Sequence, residues 1–230
     1  MHIIELPIEF EFNGQQQYIY PSLIEINQEL TLVDTGYADF LPLIEKEILN
    51  NGYNMDQLKN IIVTHYDDDH IGSLHAFKAK YPSVRIIASE IESQYISGEV
   101  KSERLAQAEE MLANMPLEEI EFGKWFVQQL KNLKHVAVDE TVHEGQMILD
   151  QKCKVIATPG HTSGHISLYL PELNSVITGD AAVLEKNELC IANPHFCLDM
   201  EKAQQSLEKI KSLQAGTYFC YHGGKLDLNK

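Results

Sequence analysis

Between Lys59 and His70 the chain passes from a short apolar strand, Lys59 to Thr64 (KNIIVT), into a loop holding two histidines and three aspartates, His65-Tyr66-Asp67-Asp68-Asp69-His70. A short apolar run of this kind is a buried strand, and a loop anchored behind it can aim several side chains at one point. Imidazole and carboxylate are the donors that hold Zn, Fe or Mn. An aspartate triplet alone is usually a solvated turn. Flanked by histidines directly after a buried strand, it reads as a metal site.

Three weaker features repeat the arrangement. Thr158-Pro159-Gly160-His161-Thr162-Ser163-Gly164-His165 ends a strand in a Pro-Gly turn and then a histidine, with glycines that let the backbone come close to another loop. Thr178-Gly179-Asp180 places an aspartate just past a strand. Tyr221-His222-Gly223-Gly224 places a histidine past the last one. Singly, each is an ordinary cap or loop residue. Four strand-terminal sites in one chain point to a common centre.

The rest of the pattern supplies the frame. Ile3 to Phe12 and Tyr18 to Ile26 read as strands interrupted by turns at Asn13-Gly14 and Asn27-Gln28, and Leu30 to Val33 is another strand. Phe40, Leu43, Ile44, Ile48 and Leu49 fall at helical spacing, ended by Gly52. Ser73 to Lys80 reads as a helix with Ser73 as N-cap, and Val84 to Ala88 as a strand. Strands return at 154–158, 166–170, 175–178 and 217–221, with an amphipathic helix from Asp199 to Leu213. Each half is strands first and helices after, which suits a four-layer α/β arrangement of two packed sheets with helices outside. Residues 89–135 break this rhythm as a helical insertion carrying Tyr95, Leu105, Met111, Phe122, Trp125 and Phe126. It is either core packing or a lid over a site.

The 230 residues suffice for a single domain, 1–230, built on one core. A formal net charge of −16 repels phosphate backbones and argues against nucleic acid as a partner. No apolar run approaches the ~20 residues of a membrane span, and Met1 to Glu5 opens no signal peptide. With Cys153, Cys190, Cys197 and Cys220 scattered as reduced thiols, a cytoplasmic protein acting on a small molecule is expected.

In their order, Val33-Asp34-Thr35-Gly36, THYDDDH at 64–70, PGHTSGH at 159–165, Gly179-Asp180 and His222-Gly223 resemble the metallo-β-lactamase fold superfamily, which includes glyoxalase II-like thioesterases, lactonases and β-lactamases. The resemblance covers nearly the whole chain and implies that family's αβ/βα sandwich. It implies that His65 and His161 hold a first divalent ion, that Asp69, His70 and His222 hold a second, and that Asp180 bridges both. Asp69 and Asp180 would then be the catalytic carboxylates. Zn is the leading ion, with Fe or Mn behind it. A hydroxide between the ions would attack an ester, thioester or lactone carbonyl. Asp34 would orient a ligand histidine.

Asp67 departs from the family pattern, which has histidine there. Either it ligates the first ion, or the site keeps a single ion at the second position. With Asp67 ligating, three aspartates against two divalent ions leave a net charge of +1, against +2 for two aspartates, and preference moves toward harder ions. A diiron redox protein, or a non-catalytic protein with a degenerate site, are the rival readings. Asp68 is expected to be solvated or supporting, and His165 supporting. His2, His75, His135 and His143 are ordinary. His195 either lines a pocket or serves its loop, and Tyr66 is a weak candidate for facing substrate.

Overall fold

The computed structural model describes residues 1–12 and 14–229. The first sheet is built from β1 (His2–Glu5), β4 (Ser22–Ile26), β5 (Glu29–Val33), β6 (Leu58–Ile62), β7 (Arg85–Ser89) and β8 (Glu140–Val142), in that order. Its β1, β4 and β5 pair antiparallel, and its β5 to β8 pair parallel. The second has the order β16 (Gly224–Asp227), β15 (Thr217–Cys220), β12 (Ser175–Gly179), β11 (Ile166–Leu170), β10 (Cys153–Ala157) and β9 (Met147–Ile148). There only β12 and β15 run parallel. Two hairpins stand apart, β2 (Ile8–Phe12) with β3 (Gln15–Ile19), and β13 (Val183–Glu185) with β14 (Glu188–Cys190).

Strand alternation assigns the layers. In the first sheet Ile24, Val33, Ile62 and Ile87 face Val155, Ile166, Leu168 and Phe219 of the second. Their neighbours Leu23, Leu32, Ile61 and Ile86 point the other way. There they pack against Ile44 and Ile48 of α1 (Leu41–Asn50) and against Leu74 and Phe77 of α3 (Leu74–Lys80). On the far side, Val176 and Tyr218 meet Leu207 and Ile210 of α7 (Met200–Ser212). The result is the expected four-layer sandwich. Among the described residues no helix is long and apolar enough to cross a membrane.

Three local expectations are corrected. The long first strands are each broken in two, at Leu6-Pro7 and at Tyr20-Pro21. Proline has no N–H for the ladder, so the chain leaves the sheet there and β2–β3 becomes a free hairpin. Asn13 of the expected turn lies outside the described residues, and Gly14 has φ +74°. Ser73 stands at the N-cap position of its own helix, but its side chain makes no capping bond there. Its Oγ accepts from the N–H groups of Phe40 and Leu41 at 2.8 and 3.1 Å, so it closes the start of α1 instead. The chain also reverses after His222 into β16. Gly223 permits this with φ +93°, and a Cβ there would stand 2.1 Å from the Leu184 carbonyl oxygen.

Residues 89–135 form α4 (Glu90–Ile96), α5 (Glu103–Ala113) and α6 (Ile120–Asn132). Ser89 Oγ caps α4 by accepting from Glu92 N–H, and Ser102 Oγ caps α5 by accepting from Leu105 N–H. Ala108, Val127 and Leu130 make a small core of their own between α5 and α6. Phe122, Trp125 and Phe126 are turned to a cleft that also exposes Asp67, Asp69, His161, Asp180 and His222. The insertion is thus a cap with its own packing.

Candidate metal centre

The segments singled out for metal each follow the C-terminal end of a strand. Asp34 follows β5, His65 follows β6, His161 follows β10, Asp180 follows β12 and His222 follows β15. Asp67, Asp69 and His70 lie in and before α2 (Asp68–Ile71), a single turn that the expected loop contains. Both sheets therefore deliver their ligands to one edge of the sandwich. Gly160 lets the His161 turn lie against α7, with φ +133° and room for no Cβ, since one would be 2.1 Å from Ala203 N.

Two groups of donors result. His65, His161 and Asp180 form one, and Asp69, His70 and His222 the other, the donor atoms of each lying within 4.8 Å of one another. Asp180 joins them. Its Oδ2 is 3.5 Å from His161 Nε2 and 3.6 Å from His222 Nε2, and its Oδ1 is 3.4 Å from His70 Nε2. Asp69 Oδ2 is 3.1 Å from His222 Nε2 and 3.7 Å from His70 Nε2. Donors held about 2.1 Å from one ion stand roughly 3 to 3.5 Å apart, so these spacings fit.

The tautomers also fit. Asp34 is buried in the left-handed region with φ +65°. Its Oδ1 accepts from Thr64 N–H at 2.8 Å, and its Oδ2 accepts from Thr64 Oγ1 at 2.8 Å and His70 Nδ1 at 2.9 Å. Having given its proton to Asp34, the Thr64 hydroxyl accepts from His65 Nδ1 at 3.0 Å. One carboxylate therefore fixes both rings with Nε2 bare. His65 Nε2, His70 Nε2 and Asp180 Oδ1 are buried with no hydrogen-bond partner. Such orphaned atoms are costly unless something binds them. Three of them, distributed over the two donor groups that Asp180 joins, fit divalent metal. His222 is the most exposed donor of the set, its side chain about a third accessible.

One supporting residue of the histidine loops, Glu92, escaped the sequence, whereas His165 has the supporting place expected of it. Glu92 in the first turn of α4 is buried. Its Oε2 accepts from Tyr66 N–H at 2.9 Å, and its Oε1 accepts from Thr162 Oγ1 and Gly164 N–H at 2.7 and 2.9 Å. It ties the two histidine loops together. Nothing in a helical Glu-Ile-Glu announces this. His165 accepts from Asp180 N–H at 2.9 Å through Nε2 and donates to Thr158 Oγ1 at 2.8 Å through Nδ1. It therefore orients the backbone of the bridging aspartate. Tyr221 donates to the Asp69 carbonyl at 2.5 Å.

Tyr66 does not face the cleft. Its hydroxyl accepts from Arg104 N–H at 3.1 Å, and its ring packs on Tyr95 under the cap. Asn193 and Phe196 line the cleft where His195 was considered. Asp68 lies on the cleft wall, where burial and the charges of Asp69 and Asp67 push its carboxyl up to about 7.

Asp67 Oδ2 lies 3.5 Å from His65 Nε2 and 3.0 Å from His161 Nε2, within reach of the first position. The same carboxylate is paired with buried Arg104 of α5, a contact that no motif signals. Burial opposes the charge on Asp67, but Arg104, His161 and His65 hold its carboxyl well below the usual carboxylate range.

Glu92 gives a pH prediction. Burial pushes its carboxyl from 4.5 up to about 8, the Asp67 charge adding to burial and the hydrogen bond from Thr162 opposing it. A raised folded-state pKa means that the proton-linked stability is fully present below about 4.5 and is lost as pH rises through about 8. Across this window the unfolding free energy of the parent falls by a few kcal/mol relative to Glu92→Gln. Urea unfolding of both proteins at pH 5 and pH 8.5 checks it, and equal pH slopes would show that Glu92 is not linked.

Comparison with known proteins identifies the family. The profile of the Metallo-beta-lactamase superfamily matches residues 16–222. A probable metallo-hydrolase of Bacillus subtilis, YflN, is 26% identical over 211 residues, covering 84% of this chain and 74% of that protein. A hydroxyacylglutathione hydrolase of Brucella anthropi is 30% identical over 183 residues, covering 78% of this chain and 52% of that protein, so the chain spans about half of its length. The crystal structure of a metallo-beta-lactamase family protein from Thermus thermophilus superposes with a TM-score of 0.74 at 22% identity, over 98% of this chain and 74% of that one.

Proposed function

The chain belongs to the metallo-beta-lactamase superfamily, and we propose that it is a two-metal hydrolase of an ester, lactone or thioester whose acyl part is uncharged and apolar. The observation that carries the metal reading is that His65 Nε2, His70 Nε2 and Asp180 Oδ1, donors of the two adjoining groups, are buried and without hydrogen-bond partners. His65, Asp67, His161 and Asp180 would hold the first ion, and Asp69, His70, His222 and Asp180 the second. Zn is the ion we favour for a site rich in imidazole. Divalent cations bound there supply a Lewis acid for the carbonyl and bring the pKa of water toward neutrality. The chain's own part is to keep the histidine tautomers fixed through Asp34 and Thr64, to hold the Asp180 backbone through His165, and to shape the cleft.

The cleft, about 560 Å³, argues the substrate class. Its walls are aromatic. Phe12 at the tip of β2 meets Trp125 at 5.9 Å between ring centres, Trp125 meets Phe122 at 5.7 Å, and Phe122 stacks on Phe126 at 6.2 Å. Phe126 reaches Phe196 at 5.8 Å, which closes a run of rings above the donors. Arg104 is the one lysine or arginine among the described residues lining the cleft, and Asp67 already holds it. A glutathione thioester brings two carboxylates for which this cleft offers no free cation. A neutral aromatic or alkyl group gains about 25 cal/mol for each Å² it buries against these rings.

The test is turnover by the Zn-loaded protein of neutral aryl esters, acyl lactones and a glutathione thioester. At least tenfold higher kcat/KM for the neutral substrates is expected, abolished by a chelator and restored by metal. Trp125→Ala should raise KM for an aryl substrate about tenfold, about 1.4 kcal/mol, with kcat little changed. No turnover of any carbonyl substrate, or preference for the glutathione thioester, would reject the respective half of the reading.

A further inference from the structure

We propose that Arg104 is a built-in counter-cation for Asp67 that makes the first metal position the weaker and more readily emptied of the two. The inference rests on the metal reading above and deepens it.

Arg104 enters from the cap, in the first turn of α5, and is 2% exposed. Its Nε donates to Asp67 Oδ1 at 3.0 Å and Oδ2 at 3.2 Å, and its Nη2 donates to Asp67 Oδ2 at 2.8 Å. Its Nη1 donates to Gln107 Oε1. Its guanidinium lies 5.5 Å over the Phe196 ring. This is a planar fork gripping a largely buried carboxylate, the geometry in which arginine binds most firmly.

The grip falls on the oxygen the metal would use. Asp67 Oδ2 is the atom 3.0 Å from His161 Nε2, and Arg104 Nη2 stands 3.4 Å from that same nitrogen. A cation bound to His161 and Asp67 would sit only a few ångströms from a fixed, largely buried positive charge, and like charges at that range repel. Arg104 also removes the need that would drive Asp67 to bind metal, because the carboxylate is already neutralised. Asp69, at the second position, lies against His70 and His222 instead. The asymmetry therefore follows from one residue. Together Asp67 and Arg104 form a neutral pair, so a filled first position carries no more anionic charge from Asp67 than a histidine there would bring.

Chelator-treated protein titrated with Co(II) and with Zn, followed by visible absorption and calorimetry, tests the proposal. In the parent two steps are expected, the looser at least tenfold weaker. His161→Ala, which removes a donor from the first position alone, should erase the looser step. Arg104→Met should tighten the looser step at least tenfold and leave the other unchanged, and Arg104→Lys, which keeps the charge, should stay near the parent. Circular dichroism of each variant verifies the fold. If Arg104→Met does not fold, the order of the two steps in the parent and in His161→Ala still decides. Equal affinities, or loosening of the first position in Arg104→Met, would overturn the proposal alone. A parent that binds no ion at all would overturn the metal reading beneath it.

Discussion

Asp180→Ala is expected to lower kcat/KM by at least about a thousandfold, about 4 kcal/mol in the barrier, and to leave the purified protein with neither ion firmly bound. The Asp180 carboxylate stands against donors of both groups. Its Oδ2 is shared between His161 and His222, and its Oδ1 faces the buried, unpartnered nitrogen of His70. Removing it takes one anionic donor from each position at once. The local backbone should survive, because His165 holds the Asp180 N–H through an acceptor that alanine leaves intact. Asp69→Ala is the control. The Asp69 carboxylate stands against His70 and His222 of the second group, so one ion should be lost and one kept. Elemental analysis of the two variants, read beside their kcat/KM, separates the roles. If Asp180→Ala retained two ions, Asp180 would not be the bridge.

The sequence revealed the donors better than their support. His65, His70, His161, Asp180 and His222 were legible because each follows an apolar strand whose burial is unmistakable, and strand ends in a two-sheet sandwich share an edge. The layers followed from the same alternation, Leu32 turned to the helices and Val33 to the opposite sheet. What failed had other causes. The first strands were read through Pro7 and Pro21 because the residues on either side are equally β-branched and aromatic. Ser73 looks like the cap of its own helix in sequence, yet tertiary proximity gives it to α1. Arg104 and Glu92 were invisible because each acts at long range, 37 and 26 residues from its partners Asp67 and Tyr66, from helices whose composition is that of any solvated helix. Whether 89–135 was core or lid depends on which way Phe122 and Trp125 turn, and helical periodicity gives the faces of a helix without saying what each face meets.

Asp34 is where the second large effect is expected, although no ion would touch it. Asp34→Ala leaves Thr64 N–H, Thr64 Oγ1 and His70 Nδ1 without their shared acceptor inside the protein. Buried donors stranded in this way cost about 1 to 3 kcal/mol each. Alanine at φ +65° adds backbone strain that aspartate and asparagine bear more easily. A loss of about 3 to 5 kcal/mol is expected, roughly 10 °C in Tm for a chain of this size. Metal affinity should fall about 10- to 100-fold, as it does when an outer partner of a ligand histidine is removed. Asp34→Asn separates the two consequences. Asparagine fits the space and the backbone, but it has one oxygen to serve three donors. If that oxygen stays on Thr64 N–H, the amide NH2 confronts the Thr64 hydroxyl and His70 Nδ1. His70 then relieves the clash by moving its proton to Nε2, the nitrogen that must be bare to bind metal. Asp34→Asn should therefore melt within a few degrees of the parent without metal, gain far less than the parent when Zn is added, and bind the second ion at least tenfold more weakly. Thermal melts with and without Zn, together with chelator competition, measure both. An asparagine variant that binds metal like the parent would show that Asp34 shapes the loop without setting the histidine tautomers.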